Sequence, residues 1–540
     1  MATQTEAQNQ DNTETSRTAS HTDEMSFTKD AERQSNKGGE WEDAVEKPVP
    51  EDPNVVNWEK DDPNNPMNWP SSKKIGVVAV VAFITMLSPF ASTMSASATP
   101  LIMSDFGSTN QTLGAFITSV YILGYAFGPL AWAPLSELYG RLPIYNICNI
   151  LFLIFSIACA VANNLGALIA FRFFAGIAAS CAITISSGTV ADLYPVEKRG
   201  KAMASMVLGP LFGPAVGPVA GGYLAEAKGW RWTFWLITIL AGAACIISFI
   251  FNRETYPYVL LKRKTASLQQ ETGNTKLRSA LDTGRTPRQL FKTSIVRPIR
   301  MLYLSPIIFF MSLTMAAVYG YLYLLLTTYP RVFGSQYNFS EKGIALVYLG
   351  VGVGSLIGLF ITGAISDRLL NHLAKRYNNG KPKPEYRLPV MIIGSILVPV
   401  GLFLYGWSAE EKVHWIVPVI GTAIIGAALM IVFVRILFNS GKQAVRRTDA
   451  DGSKQMPGLT YLIDAYTVYA ASVSAAATVF RSLLGALLPL AGSAMYDALG
   501  VGWGTSLLGF IAVACIPVPL LFWIYGERLR NSKRLSKVQF

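Results

Sequence analysis

The sequence has little charge and few of the residues that metal sites and disulfide frameworks need. Only 15% of its 540 residues are charged and 51% are hydrophobic, whereas about a quarter of the residues in soluble domains are charged. The five cysteines all fall within apolar runs and the three histidines are scattered, so neither a disulfide framework nor a metal site is expected. No Gly-x-x-x-x-Gly-Lys-Ser/Thr stretch is present, which excludes a pump with a P-loop nucleotide site.

Long apolar runs are what the sequence has in abundance. A run of about 20 apolar residues crosses about 30 Å of hydrocarbon as a helix. The sequence therefore predicts an all-α polytopic membrane protein with twelve transmembrane helices. The predicted spans lie at about 75–98, 112–134, 143–162, 166–190, 202–224, 232–251, 302–329, 343–365, 388–407, 413–438, 466–490 and 503–525.

Polar segments divide the spans into a domain organisation. Residues 1–70 are rich in Gln, Asn, Ser, Thr and Asp and have no apolar core, which predicts a disordered cytoplasmic tail and no cleaved signal peptide. The break at 252–301 separates six spans from six. We therefore predict an N-terminal six-helix bundle at 71–251, a basic cytoplasmic linker at 252–301, a C-terminal six-helix bundle at 302–526 and a cytoplasmic tail at 527–540.

The net charge of +12 is unevenly distributed over the loops. Arginine and lysine are concentrated between spans 6 and 7 and between spans 8 and 9, whereas residues 101–111 carry only Asp105. By the positive-inside rule both termini are cytoplasmic. The basic charge is thus predicted to orient the chain in the lipid bilayer, and no nucleic-acid partner is expected. Two sequons in the predicted outer loops, at Asn110 and Asn338, are candidate glycosylation sites.

The two halves of the chain repeat each other. PLSELYGRLPIY (134–145) has counterparts in AISDRLL (364–370) and YRLPV (386–390), and GGYLAEAKGWRWTF (221–234) is echoed by GSAMYDALGVGWGTS (492–506). Each pair follows an equivalent span. The repeats predict a duplicated six-helix unit, an arrangement common among transporters.

Several ordered motifs resemble one family. DDPNNPMNW (61–69), GPLAWAPLSELYGR (128–141), RFFAG (172–176), GPLFGPAVGPVAGG (209–222), RETYPYVLLKRK (253–264), YLIDAYTVYAAS (461–472) and FRSLLGALLPL (480–490) occur in that order. They resemble motifs of the major facilitator superfamily, in particular the twelve-helix drug:proton antiporter branch found in fungi, and the resemblance covers roughly residues 58–528.

The resemblance implies two pseudo-symmetric six-helix bundles that form a monomeric secondary transporter. The plasma membrane is the expected location, and a vacuolar or vesicular membrane is the alternative. Its implied activity is export of small amphipathic organic compounds such as drugs, toxins or secondary metabolites, by alternating access and proton antiport. The proton gradient supplies the energy and no cofactor is implied. The alternative is uptake of an organic acid or nutrient by the same fold. A membrane enzyme is not favoured, because the spans offer no catalytic residues and no paired acids.

Span 5 carries glycines and prolines at four-residue spacing. In a membrane, small residues at this spacing let two helices approach closely, and neighbouring helices absorb the cost of the prolines. The resemblance implies that this span packs on a helix of the opposite half and controls which side is sealed; the alternative is tight packing without a gating role. The motif comprises Gly209, Pro210, Gly213, Pro214, Gly217, Pro218, Gly221 and Gly222.

The loop between spans 2 and 3 offers a candidate cytoplasmic gate. Glu137 and Arg141 flank Gly140, and the resemblance implies that they form a latch between helices. The alternative is a set of solvated interfacial charges that fix topology. The candidate partners are Asp192, Glu197 and Arg199 after span 4, and Asp367 and Arg368 in the other half.

Polar residues within the spans are candidates for substrate binding and proton coupling, because charge in a membrane is costly and usually functional. Arg172 is either functional, as the family pattern implies, or a structural arginine bonded to backbone carbonyls, and Arg481 has the same alternatives. Ser88, Ser92 and Ser95 form a stripe on one face of span 1. Thr184, Tyr319, Tyr323 and Tyr466 are further candidates, although each tyrosine could instead anchor or pack a helix. No Asp or Glu lies inside a span, so the proton carrier is either a carboxylate at the end of a span or absent.

Overall fold

The computed structural model describes residues 54–530, except residue 60 and residues 196–197, 283, 285, 378–383 and 434–469. Seven helices make up the first half: α1 Ser71–Thr93, α2 Thr99–Asp105, α3 Gln111–Tyr139, α4 Arg141–Ala160, α5 Leu165–Leu193, α6 Arg199–Lys228 and α7 Arg231–Phe251. The segment between the halves contains α8 Pro257–Thr272 and α9 Pro287–Leu304. The second half contains α10 Pro306–Ser335, α11 Glu341–Tyr377, α12 Leu388–Glu410, α13 Ile416–Phe433, α14 Ala470–Cys515 and α15 Pro517–Arg530. Short 3₁₀ helices occur at Pro66–Asn68 and Pro384–Arg387, and β1 Val55–Val56 and β2 Arg278–Ser279 are two-residue strands.

These helices account for the twelve predicted crossings. Ten helical segments of the described chain are long and apolar enough to cross a membrane by length and composition. One of them contains two crossings, because α14 has a break at Gly500, whose φ is 76°. The twelfth crossing is α6, whose 30 residues include the glycines and prolines that lower its hydropathy. The prediction of an all-α polytopic fold is confirmed.

The helices form two halves that meet along two seams. In the first half α1 packs on α6 and α3 on α5, and in the second half α10 packs on α14 and α12 on α13. The halves contact each other where α3 meets α14 and where α6 meets α11. Helix α9 of the connecting segment touches both α3 and α14, so it lies across the first seam.

The two ends of the bundle differ in their loops. We call the end that contains Ser71, Tyr139, Leu193 and Phe251 the basic face, because the arginine- and lysine-rich connections lie there. We call the other end, with Asp105, Lys228 and Ser335, the opposite face. The loops alternate between the two faces because successive crossings run in opposite directions.

An acidic segment ahead of α1 is attached to the connecting segment. The sequence predicts disorder through residue 70; in the structure Trp58, Glu59 and Asp62 lie beside Lys264 of α8. Lys264 Nζ donates to Asp62 Oδ2 at 2.6 Å, and Asn64 N–H donates to Asp62 Oδ1 at 2.8 Å. The Lys264 ammonium and the Asn64 N–H hold the pKa of the Asp62 carboxyl below its ordinary value, and Asp62 in turn raises the pKa of Lys264. The polar composition of residues 1–70 gives no sign of this contact between Asp62 and Lys264, which are far apart in the sequence.

This attachment is expected to weaken in acid. Because the folded-state pKa of Asp62 is depressed, its contribution is present above the unfolded value of about 3.9 and is lost as the pH falls through the folded value. Hydrogen exchange of residues 57–69, corrected for the intrinsic effect of pH, should therefore accelerate below about pH 4. Asp62→Asn should show faster exchange already at neutral pH, whereas Asp61→Asn, which changes an exposed neighbour, should not. Equal exchange in these two variants would contradict the assignment.

Candidate functional site

The helix of the first crossing is interrupted toward its end at the opposite face. Helix α1 ends at Thr93, residues 94–98 form turns, and α2 begins at Thr99. The last turn of a helix leaves carbonyl groups without intrahelical partners, and its negative end favours a nearby cation. The interruption therefore creates a buried site for a hydrogen-bond donor.

Arg172 fills that site from α5. Its Nη2 donates to the Ser92 carbonyl at 2.9 Å and its Nη1 to the Ala91 carbonyl at 3.4 Å, while Nε donates to the Ile117 carbonyl of α3. The guanidinium also lies 5.1 Å from the ring centre of Tyr121. The residue is 2% exposed, and none of its contacts within the described chain is a carboxylate. Arg172 thus joins α1, α3 and α5 through backbone carbonyls.

Hydroxyl and aromatic groups continue from Arg172 into the second half. Ser92 Oγ and Tyr323 Oη are 3.0 Å apart, a hydrogen bond between α1 and α10. The ring centres of Tyr323 and Tyr319 are 5.0 Å apart, and the Arg481 guanidinium lies 4.9 Å from that of Tyr319. We call Arg172, Ser92, Tyr323, Tyr319 and Arg481 the central polar cluster. It places one arginine of each half at the two ends of a continuous set of contacts.

Arg481 differs from Arg172 in its hydrogen bonding. Its guanidinium stacks on Tyr319 and lies 5.6 Å from the ring centre of Phe433, but its buried Nε has no hydrogen-bond partner among the described residues. One helical turn further along α14, Gly485 lies against Tyr319 and Ile122, which brings α14 close to both α10 and α3. Arg481 therefore retains a donor and a positive charge beside an aromatic surface.

The other serines and tyrosines of the predicted set have different surroundings. Ser88 Oγ bonds to Tyr125 Oη and donates to the Ala179 carbonyl, which ties α1 to α3 and α5. Ser95 Oγ lies 3.5 Å from Thr118 Oγ1. Thr184 Oγ1 bonds the Ser180 carbonyl of its own helix, so the structure does not connect it to the central polar cluster. Tyr466 lies outside the described residues.

The glycine face of α6 receives α1 of the same half. A Cβ atom added at Gly209 would lie 2.5 Å from Met86 Cα, one at Gly213 would lie 2.8 Å from the Pro89 carbonyl carbon, and one at Gly221 would overlap the Met94 carbonyl oxygen. Thr93 Oγ1 donates to the Gly213 carbonyl at 2.9 Å across this contact. The four-residue spacing thus serves packing within one half.

A neighbouring face of α6 reaches the opposite half. A Cβ at Gly222 would lie 2.5 Å from Ala345 Cβ of α11, and Ala215 packs against Gly352. The backbone is helical throughout Arg199–Lys228, including Pro210, Pro214 and Pro218. Helix α6 therefore connects the interrupted helix α1 to the second half, which is the contact with the opposite half that the resemblance implies.

Arg141 at the basic face is bound within the first half. Its Nε is 3.3 Å from Asp192 Oδ2 of α5, and its Nη1 donates to Ser136 Oγ at 2.7 Å. Gly140 has a φ of 101° and turns the chain so that Glu254 Oε1 accepts the Arg141 N–H at 2.9 Å. A side chain at Gly140 would collide with Glu254. The partners thus come from the ends of α3 and α5 and from the segment that follows α7.

Arg199 and Arg368, among the remaining gate candidates, make no hydrogen bond to Arg141 in the described part of the chain. Arg199 donates to the Tyr194 carbonyl at 2.8 Å and to the Ala191 carbonyl at 3.0 Å, which caps α5. Arg368 is exposed on α11. Glu137 makes a hydrogen-bonding or electrostatic contact with another residue. Glu197 and the side chain of Asp367 lie outside the described part.

Both sequon asparagines are exposed at the opposite face. Asn110 caps α3, since its Oδ1 accepts the N–H groups of Thr112 and Leu113. Asn338 adopts a φ of 52° in the turn before α11. The Asn110 cap uses the amide oxygen, so the nitrogen that a glycan would modify is not the capping atom.

Carboxylates that end the crossings are the residues that sequence reasoning missed. Glu254 is buried and accepts the N–H groups of Arg141, Leu142, Thr255 and Tyr256. In the second half Glu410 accepts the N–H groups of Val501 and Gly502 just after Gly500. Each carboxylate thus binds the N-terminus of a helix that follows a left-handed glycine. The signal in the sequence is an acid at the end of an apolar run, at Glu254 within RETYPYVLLKRK (253–264) and at Glu410 beside Glu411.

Comparison with known families identifies the fold's relatives. The family model described as Major Facilitator Superfamily matches residues 81–445. The protein named MFS-type transporter penM, from Penicillium rubens, is 54% identical over 90% of this chain and 91% of its own length. The Efflux pump radE of Floropilus chiversii is 47% identical over 90% of this chain and 86% of its own.

Solved structures of distant proteins share the architecture. The crystal structure of a D-xylose-proton symporter matches with a TM-score of 0.60 and 15% identity, over 83% of this chain and 97% of that one. The partially occluded, inward-open structure of the xylose transporter XylE from E. coli matches with a TM-score of 0.58 and 17% identity, over 84% and 98% of the two chains. At this identity the likeness establishes the fold alone.

Proposed function

Because the chain belongs to the major facilitator superfamily, we propose that it exports small amphipathic organic compounds in exchange for protons, by alternating access of its two halves. It is a multi-pass membrane transporter and not an enzyme. A relative that is 47% identical over most of both chains carries the name efflux pump, and this supports export. Drugs, toxins and secondary metabolites are the proposed range of substrates.

The observation that carries the proposal is the environment of Arg481. The Arg481 guanidinium lies 4.9 Å from the ring centre of Tyr319, beside the seam between the halves, and its Nε donor has no partner among the residues that the structure describes. Aromatic surface with a few placed polar groups suits an amphipathic ligand, and an arginine pairs with an anionic oxygen. We infer that preferred substrates carry a carboxylate or phenolate on an aromatic or apolar body.

The same proposal includes the orientation of the chain in the membrane, its location in the cell and its oligomeric state. The basic face is placed in the cytoplasm, because Lys and Arg are retained there during insertion. The plasma membrane is proposed as the location, and a monomer as the functional unit, since the contacts described above join the two halves of one chain. The proton gradient is the proposed energy source.

Comparison of small molecules in medium and cells, with and without the gene in its native host, tests the direction and names the substrate. Export predicts a compound that disappears from the medium and accumulates in cells when the gene is deleted. A compound that instead lingers in the medium of the deletion strain would show uptake. Collapse of the proton gradient should stop transport of the same compound.

Arg481→Ala is then expected to lower export of the identified compound at least tenfold, because the proposed anion partner is lost, a contribution of about 1.4 kcal/mol or more. Arg481→Lys should retain part of the activity because it keeps the charge. Arg528→Ala removes an exposed arginine of α15 and should have no effect. Export equal to wild type in Arg481→Ala would refute this site.

A further inference from the structure

The halves are joined at the opposite face by an ion pair that sequence reasoning did not identify. Lys342 Nζ of α11 lies 3.0 Å from Glu226 Oε1 of α6, and the Lys342 N–H donates to Glu226 Oε2 at 3.1 Å. Gly222 packs against Ala345 one turn away. Alternating access requires this contact to separate whenever the central cluster opens toward the opposite face. We call Glu226, Lys342 and Glu341 the rim cluster.

Glu341 is the member of the rim cluster without a cation of its own. It is the first residue of α11, and its Oε2 is buried and has no hydrogen-bond partner among the described residues. Lys342 is already bound to Glu226 through both its ammonium and its N–H. The Gly343 N–H donates to Ser340 Oγ at 3.4 Å. The N-terminus of a helix favours a nearby carboxylate through its free N–H groups. At α11 the N–H groups of Lys342 and Gly343 are instead bonded to Glu226 and Ser340.

The groups that face Glu341 do not favour its ionised form. Glu226 of α6 adds a second negative charge, and the Tyr348 phenol lies two turns further along α11. The Tyr348 hydroxyl donates to the Leu326 carbonyl at 2.7 Å, so its proton is not available to bond Glu341. Removing an unpaired carboxylate oxygen from water is unfavourable unless the group is neutral.

Behind Tyr348 the second half contains a further unsatisfied polar group. The Tyr348 and Tyr329 rings are 4.9 Å apart and those of Tyr329 and Tyr405 are 6.0 Å apart. Tyr405 is fully buried, and its hydroxyl has no hydrogen-bond partner in the described chain. A buried hydroxyl in such a position usually binds an ordered water. Within the described residues, the Tyr405 hydroxyl is thus a second polar group without a partner, and the Tyr348 and Tyr329 rings lie between it and Glu341.

We propose that Glu341 is a proton-binding residue that couples protonation to closure of the contact between α6 and α11. In the closed contact the carboxyl is partly dehydrated beside Glu226, and the neutral form fits. When α6 and α11 separate, water reaches the carboxyl and it releases its proton. By linkage, acid at the opposite face closes this contact. The inference rests on the proposed antiport and concerns its return step: an external proton bound at Glu341 returns the empty transporter to the state open at the basic face. Because this proton leaves at the opposite face when the contact opens again, Glu341 sets the pH dependence of closure and is not the residue that carries a proton across.

The test measures the contact itself and needs no substrate. Spin labels are placed on cysteines introduced at Thr109 and Ser335, which are exposed at the opposite face on different halves, in a Cys515→Ser background because Cys515 is the one native cysteine that is not buried. Pulsed electron–electron distance distributions are recorded between pH 5 and 8 on the full chain in lipid nanodiscs. The ratio of short to long distances should rise as the pH falls, by up to about tenfold per pH unit for one coupled proton.

Glu341→Gln and Glu226→Gln separate the roles of the two carboxyls. Glu341→Gln should keep the short distance at all pH values, because the amide is permanently neutral. Glu226→Gln should lower the short-distance population by weakening the ion pair but retain a response to pH. A wild-type ratio that does not change with pH, or an unchanged response in Glu341→Gln, would overturn the proposal. If the distances respond through Glu341 while export is independent of the proton gradient, the site stands and the proposed antiport fails.

Discussion

Gly213→Leu is expected to prevent α1 and α6 from packing and to reduce the yield of folded protein more than tenfold. A Cβ at this position already lies 2.8 Å from both the Pro89 carbonyl carbon and Pro89 Cβ, and 3.0 Å from the Phe90 nitrogen. Backbone atoms cannot rotate away as a flexible side chain can, so the helices must separate. Separation also breaks the Thr93 hydrogen bond to the Gly213 carbonyl. Overpacking alone costs about 1–3 kcal/mol.

The measurement compares monodisperse protein after extraction, by fluorescence-detected size exclusion, for Gly213→Leu and Gly363→Leu. Gly363 is also a helical glycine of a membrane crossing, but a Cβ there meets nothing within 4 Å. Both variants add the same hydrophobic side chain, so a general effect of leucine is controlled. Equal recovery of the two proteins would show that α1 and α6 do not pack as closely as described.

The sequence predicts the crossings well because hydrophobic length is a local property. All twelve crossings are evident as apolar runs, and the break in α14 coincides with Gly500 in the repeat GSAMYDALGVGWGTS. The spacing of glycines in α6 likewise predicts a groove. The spacing does not predict which helix occupies the groove, because any helix with a smooth face would fit. That partner, α1, emerges only from tertiary structure.

Charged residues at the ends of crossings are harder to interpret from sequence. Glu254, Glu341 and Glu410 each look like solvated interfacial carboxylates, since acids commonly flank apolar runs. Their neighbours come from distant segments: Glu254 binds the start of α4, and Glu410 binds the chain after Gly500. A pattern within one span therefore cannot distinguish a helix-capping carboxylate from a solvated one, and the candidate gate remains a hypothesis about Arg141 and its neighbours.

Arg172→Ala is expected to lower the free energy of unfolding by about 3 kcal/mol or more, because three donors to buried carbonyls disappear and each charge-assisted bond contributes about 1.5–3 kcal/mol. The carbonyls of Ala91 and Ser92 would be left in a dry interior at the interruption of α1. Arg172→Lys should recover only part of the loss, since a single ammonium cannot reach acceptors on α1 and α3 together. Arg481→Ala leaves no carbonyl unsatisfied among the described contacts and should change stability by less than about 1 kcal/mol.

Four buried cysteines, at 148, 159, 181 and 245, provide the readout. A thiol-reactive dye reports their exposure during thermal unfolding of the purified full chain. For a chain of 540 residues, a loss of about 3 kcal/mol corresponds to a downward shift of about 3 °C. If Arg172→Ala unfolds early while Arg481→Ala unfolds like wild type and loses export, the two arginines have separate roles. Arg172 then holds the interrupted helix in place, and Arg481 contacts the substrate. If Arg172→Ala instead keeps wild-type stability, its hydrogen bonds do not stabilise α1, and any loss of export in that variant would assign Arg172 to the transported ligand.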